Sequence, residues 1–207
     1  MRFITRAVYV ALAAHIASLT ALVVFEELRG HSLVTQLASI DHPDSTAAQA
    51  VVGAVTVFAV LIMLVVGTLA VAAVAYLTWL VRVRQAHDRA ASPAPVLLGW
   101  LIPGVALVAP VVLVDDVWKN SRPPFDQRPR WLFLLGAWWL SWLAAVASLI
   151  IRLGDDSAGT LTGIGVRELA LAAFAAVLCA ATVREIERIQ TVAARARRAL
   201  PGSLSHV

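Results

Sequence analysis

Few side chains in this 207-residue sequence are of a type that could do chemistry, and most of them border apolar runs rather than forming a motif. His15 is the one histidine or charged group inside the first long apolar run, Ala7 to Phe25. A histidine in a membrane span reads first as a proton relay or haem ligand. This one has no partner in another apolar segment, so a hydrogen-bonded packing role is the preferred reading. Cys179 is the only cysteine, which excludes an intrachain disulfide and any cysteine-rich metal site. It lies in an alanine-rich apolar run and reads as an inert buried thiol. His31, Asp41, His42 and Asp44 could ligate a transition metal, but their spacing matches no ligand pattern, and solvated loop residues are expected.

Asp115 and Asp116 are adjacent carboxylates of the kind that can hold Mg²⁺ through oxygen. Aspartate-rich motifs that grip a diphosphate carry a further acid where Lys119 stands, and no second acidic motif exists. A helix end with a local salt bridge is therefore the preferred reading. Arg82, Arg84, His87 and Arg89, together with Lys119, Arg122, Arg128 and Arg130, make two basic connections. Juxtamembrane cations mostly set topology and touch anionic headgroups, at about 1 kcal/mol each. The sharper alternative is a phosphate or carboxylate pocket in which Arg84 and Lys119 converge, with Arg82 and Arg122 beside them. On that reading Arg128, in a proline loop, should tolerate lysine. Arg167 and Glu168 are expected to pair with each other. Trp138, Trp139 and Trp142 read as packing residues before they read as a quinone or sugar platform. No glycine-rich phosphate loop, Gly-x-Ser-x-Gly, metalloprotease histidine pair or cysteine ligand set occurs. The residues thus call for no metal and no cofactor.

The elements that must position these groups are set by hydropathy. The chain is 60% hydrophobic and 14% charged, with a mean hydropathy of +0.80; soluble domains run at roughly 45–50% apolar and about 25% charged. Such a chain needs lipid as its solvent. The net charge of +4 comes from residues flanking apolar runs, the signature of membrane orientation rather than of nucleic-acid binding. Five runs lack formal charge: Ala7 to Phe25, Ala50 to Val81, Ala94 to Val114, Trp131 to Ile151 and Leu169 to Val183. The first could pass for a signal peptide behind Arg2 and Arg6. It is too long, however, and no Ala-x-Ala site closes it, so it is read as a span.

The third run is punctuated by Pro95, Pro103 and Pro110, with Gly99 and Gly104 beside them. Proline removes a backbone donor, which lipid tolerates only where neighbours re-satisfy the chain. If all five runs cross, 7 of the 17 basic residues are cytoplasmic; if the third enters and returns, or lies in the interface, 14 are cytoplasmic and 3 are outside. The positive-inside rule selects the second arrangement. Trp79, Trp100, Trp118 and Trp131 then all fall near the cytoplasmic interface.

The expected architecture is an all-α integral membrane protein. Four transmembrane helices lie at about residues 7–27, 50–82, 131–151 and 163–183, with a proline-kinked re-entrant or interfacial segment at 94–117. Residues 1–183 form the membrane domain, and 184–207 a basic amphipathic cytoplasmic tail. In that tail Ile186, Ile189, Ala193, Ala196 and Leu200 recur at helical spacing, as for an in-plane helix or short coiled coil. Ala137, Ser141 and Ala145 on one run and Ala172, Ala176 and Ala180 on another are small residues four apart, so these two helices are expected to pack together.

Between Tyr76 and Trp142 the motifs have a recognisable order: Trp79-Leu80-Val81-Arg82-Val83-Arg84, then Gly99-Trp100-Leu101-Ile102-Pro103 through Leu107 and Pro110. Asp116-Val117-Trp118-Lys119 follows, and then Trp138-Trp139 with Trp142. This order resembles an uncharacterised family of bacterial multipass proteins, domain of unknown function 4328. The family usually has asparagine where Ala86 and Ala106 stand. If those amides serve a shared activity, this member lacks them. The resemblance implies a membrane location and an architecture, and brings no known chemistry.

The sequence therefore leads to a multipass protein of the cytoplasmic membrane with both termini inside. It favours an accessory, scaffold or anionic-lipid-interacting module without catalysis, whose partners are membrane lipids, another membrane protein or a second copy, and not nucleic acid. The alternative is a membrane enzyme acting on a phosphorylated or prenylated lipid beside Asp115 and Asp116. A small transporter is least favoured, because the spans hold almost no polar groups to line a path.

Overall fold

The computed structural model describes residues 2–30, 32, 46–88, 90–102, 104–121, 125–153 and 162–199. Among them the chain is helical, with no strand. Helix α1 covers Arg2–Phe25 and ends in a π-helical turn, Glu26–Gly30; α2 covers Thr46–His87. Two short helices follow, α3 (Ala94–Leu101) and α4 (Ala109–Asn120), with a 3-10 turn at Val105–Leu107 between them. A second 3-10 turn, Phe125–Gln127, leads into α5 (Arg128–Leu153), and α6 (Val166–Ala199) closes the order.

Four of these helices, α1, α2, α5 and α6, are long and apolar enough to cross a membrane. Large apolar side chains such as Val52, Val60, Met63 and Val66 on α2 point away from the protein. Water would not tolerate so continuous an apolar surface. The chain is a multipass membrane protein. His31, Asp41, His42, Asp44, Arg89, Pro103, Arg122 and Leu200 lie outside the described residues.

The proline-punctuated segment is not a straight span. Its two helices have 8 and 12 residues, both short of the roughly 20 that a bilayer requires. Pro95 and Pro110 stand in the first turns of α3 and α4, where a missing N–H leaves nothing unsatisfied. The Ser92 hydroxyl accepts the Ala94 N–H at 3.2 Å, just before α3 begins. The two helices pack closely at Gly99, where an added Cβ would lie 3.0 Å from Leu113 Cδ1 and 3.1 Å from Ala109 Cβ.

The helices distribute into two compact units. Unit 1 takes the first residues of α1, the end of α2 from Ala75, α3, α4, α5 as far as Leu140, and α6 from Val177. Its core is aromatic: Tyr76, Trp79, Trp118, Trp131, Trp138 and Trp139 are all buried. Unit 2 takes Ala7–Val74 and Ser141–Ala176, with a core of Val8, Ala11, Leu19, Leu22, Val23 and Ala175.

Two expectations are adjusted by the packing. The deepest line on α6 is Ala175, Cys179, Thr182, Val183, Ile186 and Ile189; Ala172, Ala176 and Ala180 flank it, half-buried. Ile186 and Ile189 are covered by unit 1 itself, so this part of the apolar stripe does not lie in the membrane plane against lipid. Helix α6 runs without a break from the apolar run into the basic tail.

Candidate functional site

The most connected polar group in unit 1 is Asp115. Helix α4 puts Asp115, Trp118 and Lys119 three and four residues apart, hence on one face, and α5 puts Arg128 and Trp131 on one face in the same way. The two faces meet. Arg128 donates from Nη1 to Asp115 Oδ1 at 2.6 Å and from Nη2 to Oδ2 at 2.9 Å. The Trp131 indole donates to Oδ1 at 3.0 Å, and Lys119 Nζ lies 2.9 Å from Oδ2. Above this knot the Trp118 and Trp131 rings stack at 5.4 Å, only 6° from parallel, with the Arg128 guanidinium 5.1 Å from the centre of Trp118. Burial alone would raise the Asp115 carboxyl, but the donors on Arg128, Lys119 and Trp131 overcome it and hold the group down at about 2.

Arg128 is thus a correction to the sequence reading. It is the first residue of α5 and grips Asp115 with a planar fork, a geometry that lysine cannot reproduce. The Asp115–Asp116 pair does not act as one carboxylate site: Asp115 is saturated by cations, while Asp116 is exposed. Among the described residues no group of three or more His, Cys, Asp or Glu could hold a metal ion.

A second cluster supports the broken segment. Tyr76 contacts the rings of Trp79, Trp100 and Trp138 at 5.6, 5.6 and 5.9 Å, and Trp139 meets Trp100 edge-on at 6.1 Å. The Trp139 indole donates to the Leu107 carbonyl at 2.9 Å. Pro110 offers no N–H to this stretch, so the indole satisfies a carbonyl exposed by the helix break. Trp138 and Trp139 accordingly serve packing and backbone capture.

The basic face divides. Lys119 is committed to Asp115 rather than to a convergence with Arg84. Arg82 is exposed, and Arg84 is half-buried. Beside the Asp115 knot lies a cavity of about 290 Å³ lined by Gln127, Arg130, Trp131, Leu134, Glu185 and Arg188. Arg188 Nη1 is 3.6 Å from Glu185 Oε2, which leaves Arg130 as the lining cation without an ion-pair partner among the described residues. The sequence reading counted Arg130 in a basic connection and Arg188 in the basic tail, and did not bring the two together. The signal for the cavity was the Glu185-x-x-Arg188 pair at the end of the last apolar run.

Unit 2 holds its own polar groups. His15 Nδ1 lies 3.4 Å from Thr68 Oγ1, which places the histidine in a hydrogen bond between α1 and α2. Glu26 accepts from the Thr162 N–H at 2.8 Å and from its hydroxyl. Glu168 accepts from Ser148 Oγ at 3.1 Å, Arg152 Nε at 3.4 Å and the Gly165 N–H at 3.0 Å. The last bond is half of a capping box, with Gly165 before the helix and Glu168 in its third position. The expected Arg167–Glu168 pair is replaced by Arg152–Glu168, because neighbouring residues on a helix point apart. Gly163 makes the turn before α6 at a φ of +71°, a conformation that favours glycine.

No curated protein and no solved structure matches this chain. The sequence model of one family, described as domain of unknown function (DUF4328), matches residues 38–191, roughly three quarters of the length. That range takes in α2, the paired short helices, α5, the tryptophan clusters and most of α6. The chain is a member of the family of multipass membrane proteins with the domain of unknown function DUF4328.

Proposed function

We propose that this protein is a non-catalytic accessory module of the cytoplasmic membrane that binds the headgroup of an anionic lipid at its cytoplasmic face. The cavity lined by Gln127, Arg130, Trp131, Leu134, Glu185 and Arg188 carries this reading. It lies between the start of the α5 apolar run and the end of the α6 apolar run, the depth at which headgroups sit. Arginine forks suit phosphate oxygens, and Trp131 supplies an amphipathic wall whose indole is fixed by Asp115. Orientation follows from basic residues: with the α3–α4 pair re-entrant, fourteen of seventeen are cytoplasmic, together with both termini. An enzyme acting on a phosphorylated lipid is less well supported, since Asp115 would first have to leave Arg128, Lys119 and Trp131.

Native mass spectrometry of the purified protein tests the reading through its retained lipid. Wild type should keep anionic phospholipid, and Arg130→Gln with Arg188→Gln should retain at least one copy fewer, with zwitterionic lipid unchanged. Equal retention by both proteins would refute the headgroup site. For orientation, Cys179 is buried, so Asn120→Cys and Thr191→Cys introduce exposed thiols into a silent background. Labelling of either from outside intact cells would overturn the topology.

A further inference from the structure

Unit 1 contains buried donors that face no acceptor among the described residues. Arg84 Nη1, Trp118 Nε1 and Gln190 Nε2 are all shielded from solvent and have no hydrogen-bond partner among the described residues, and Trp118 as a whole is only 3% exposed. A buried polar group without a partner is costly, and a buried guanidinium nitrogen more so. Each such group calls for a partner, an ordered water or a bound ion among the candidates.

The three also share a level. Tyr76 and Trp138 touch at 5.9 Å, and Trp138 lies beside Cys179, so these residues of α2, α5 and α6 mark one height. All three helices run from that height into unit 1. Arg84 lies eight residues on from Tyr76, Trp131 seven before Trp138, and Gln190 eleven on from Cys179. At 1.5 Å per residue these are roughly 12, 10 and 16 Å from the aromatic level. Trp118, stacked on Trp131, shares its height. The donors therefore fall within about one helical turn of each other along the helix axes. The nearby carboxylate cannot serve them, since both oxygens of Asp115 are each taken by two donors. Asp116 and Asp88 are exposed.

We infer that an oxyanion binds at this level of unit 1, held by Arg84, Trp118 and Gln190, and that it is a phosphate group carried by a lipid headgroup or free in the cytoplasm. A lipid phosphodiester presents only acceptors at physiological pH and inorganic phosphate presents them on most of its oxygens, which suits a set of donors. None of these residues lines the Arg130–Arg188 cavity, so the two sites stand or fall separately.

Delipidated protein in detergent provides one arm of the test: its apparent melting temperature in inorganic phosphate against chloride at equal ionic strength. The other arm reconstitutes it in phosphatidylcholine bilayers with or without phosphatidylglycerol and reads bound lipid by native mass spectrometry. Stabilisation by inorganic phosphate identifies the free ion as sufficient, and a response to phosphatidylglycerol alone identifies the headgroup. In whichever arm responds, Trp118→Phe, Arg84→Gln and Gln190→Leu should each weaken half-saturation by about tenfold or more. Trp118→Phe should leave ligand-free protein at least as stable as wild type, because it deletes an unsatisfied donor and keeps the stacked ring. Both arms are read in the Arg130→Gln, Arg188→Gln background, so that any response belongs to the level of Arg84, Trp118 and Gln190 and not to the cavity. No response in either arm, or responses in the three variants equal to that background, would overturn the inference and leave water as the partner of these donors.

Discussion

Replacing Arg128 by lysine keeps the charge and removes the fork. The Asp115 side chain is 13% exposed and that of Arg128 29%, so their paired bonds of 2.6 and 2.9 Å are largely shielded from water. A hydrogen bond to a charged group contributes about 1.5–3 kcal/mol when its loss leaves a partner unpaired. Lysine can restore one of the two bonds, and it loses the planar stacking over Trp118. Arg128→Lys should therefore cost about 2 kcal/mol. Lys119 also touches Asp115, at 2.9 Å, but its side chain is 58% exposed and the pair is an i,i+4 contact. Such pairs contribute about 0.3–0.5 kcal/mol, so Lys119→Ala should be nearly silent. Reversible unfolding in mixed micelles, followed by tryptophan fluorescence, measures both variants. A double-mutant cycle with Asp115→Asn should return a coupling for Arg128 several times that for Lys119. If Arg128→Lys unfolds with wild type, or Lys119→Ala costs as much, the bidentate pair does not hold α4 to α5.

Acid should release the same contact. Asp115 is held at about 2 against an ordinary 3.8, so the folded protein binds fewer protons than the unfolded chain in that interval. The stabilisation is whole above about pH 4 and is lost as pH falls towards about 2; unfolding midpoints across that window should drop in wild type and flatten in Asp115→Asn. Two glycines should respond with opposite signs in the same unfolding assay. Gly99→Val drives side-chain atoms into Leu113 and Ala109, already 3.0 and 3.1 Å from an added Cβ, and should cost more than about 1 kcal/mol. Gly67→Ala has nothing within 4 Å and should gain up to about 1 kcal/mol of helix propensity.

Much of the fold is legible in the residues because a bilayer leaves few solutions. An apolar run of about 20 residues must form a helix that satisfies its own backbone, so the four spans and the interruption of the third run can be read directly. Asymmetry of arginine and lysine then proposes an orientation with no reference to packing. The motif order from Trp79 to Trp142 likewise carries family membership in the sequence alone.

Side-chain partnership was not legible in this way, and Arg128 shows why. In the sequence it belongs to a proline-flanked loop with three other cations; only the approach of α4 to α5 selects it for Asp115 and leaves Lys119 at the rim. Glu168 behaves similarly, since helix geometry turns it from its neighbour Arg167 towards Arg152 and Ser148. The buried donors of Arg84, Trp118 and Gln190 lie on three helices separated by long stretches of chain. Hydropathy and charge are summed along the sequence and survive without contacts, so they determined the class, the spans and the expected sidedness. Hydrogen bonds and ion pairs require a few ångströms of approach and a direction, and these exist only after the helices have packed.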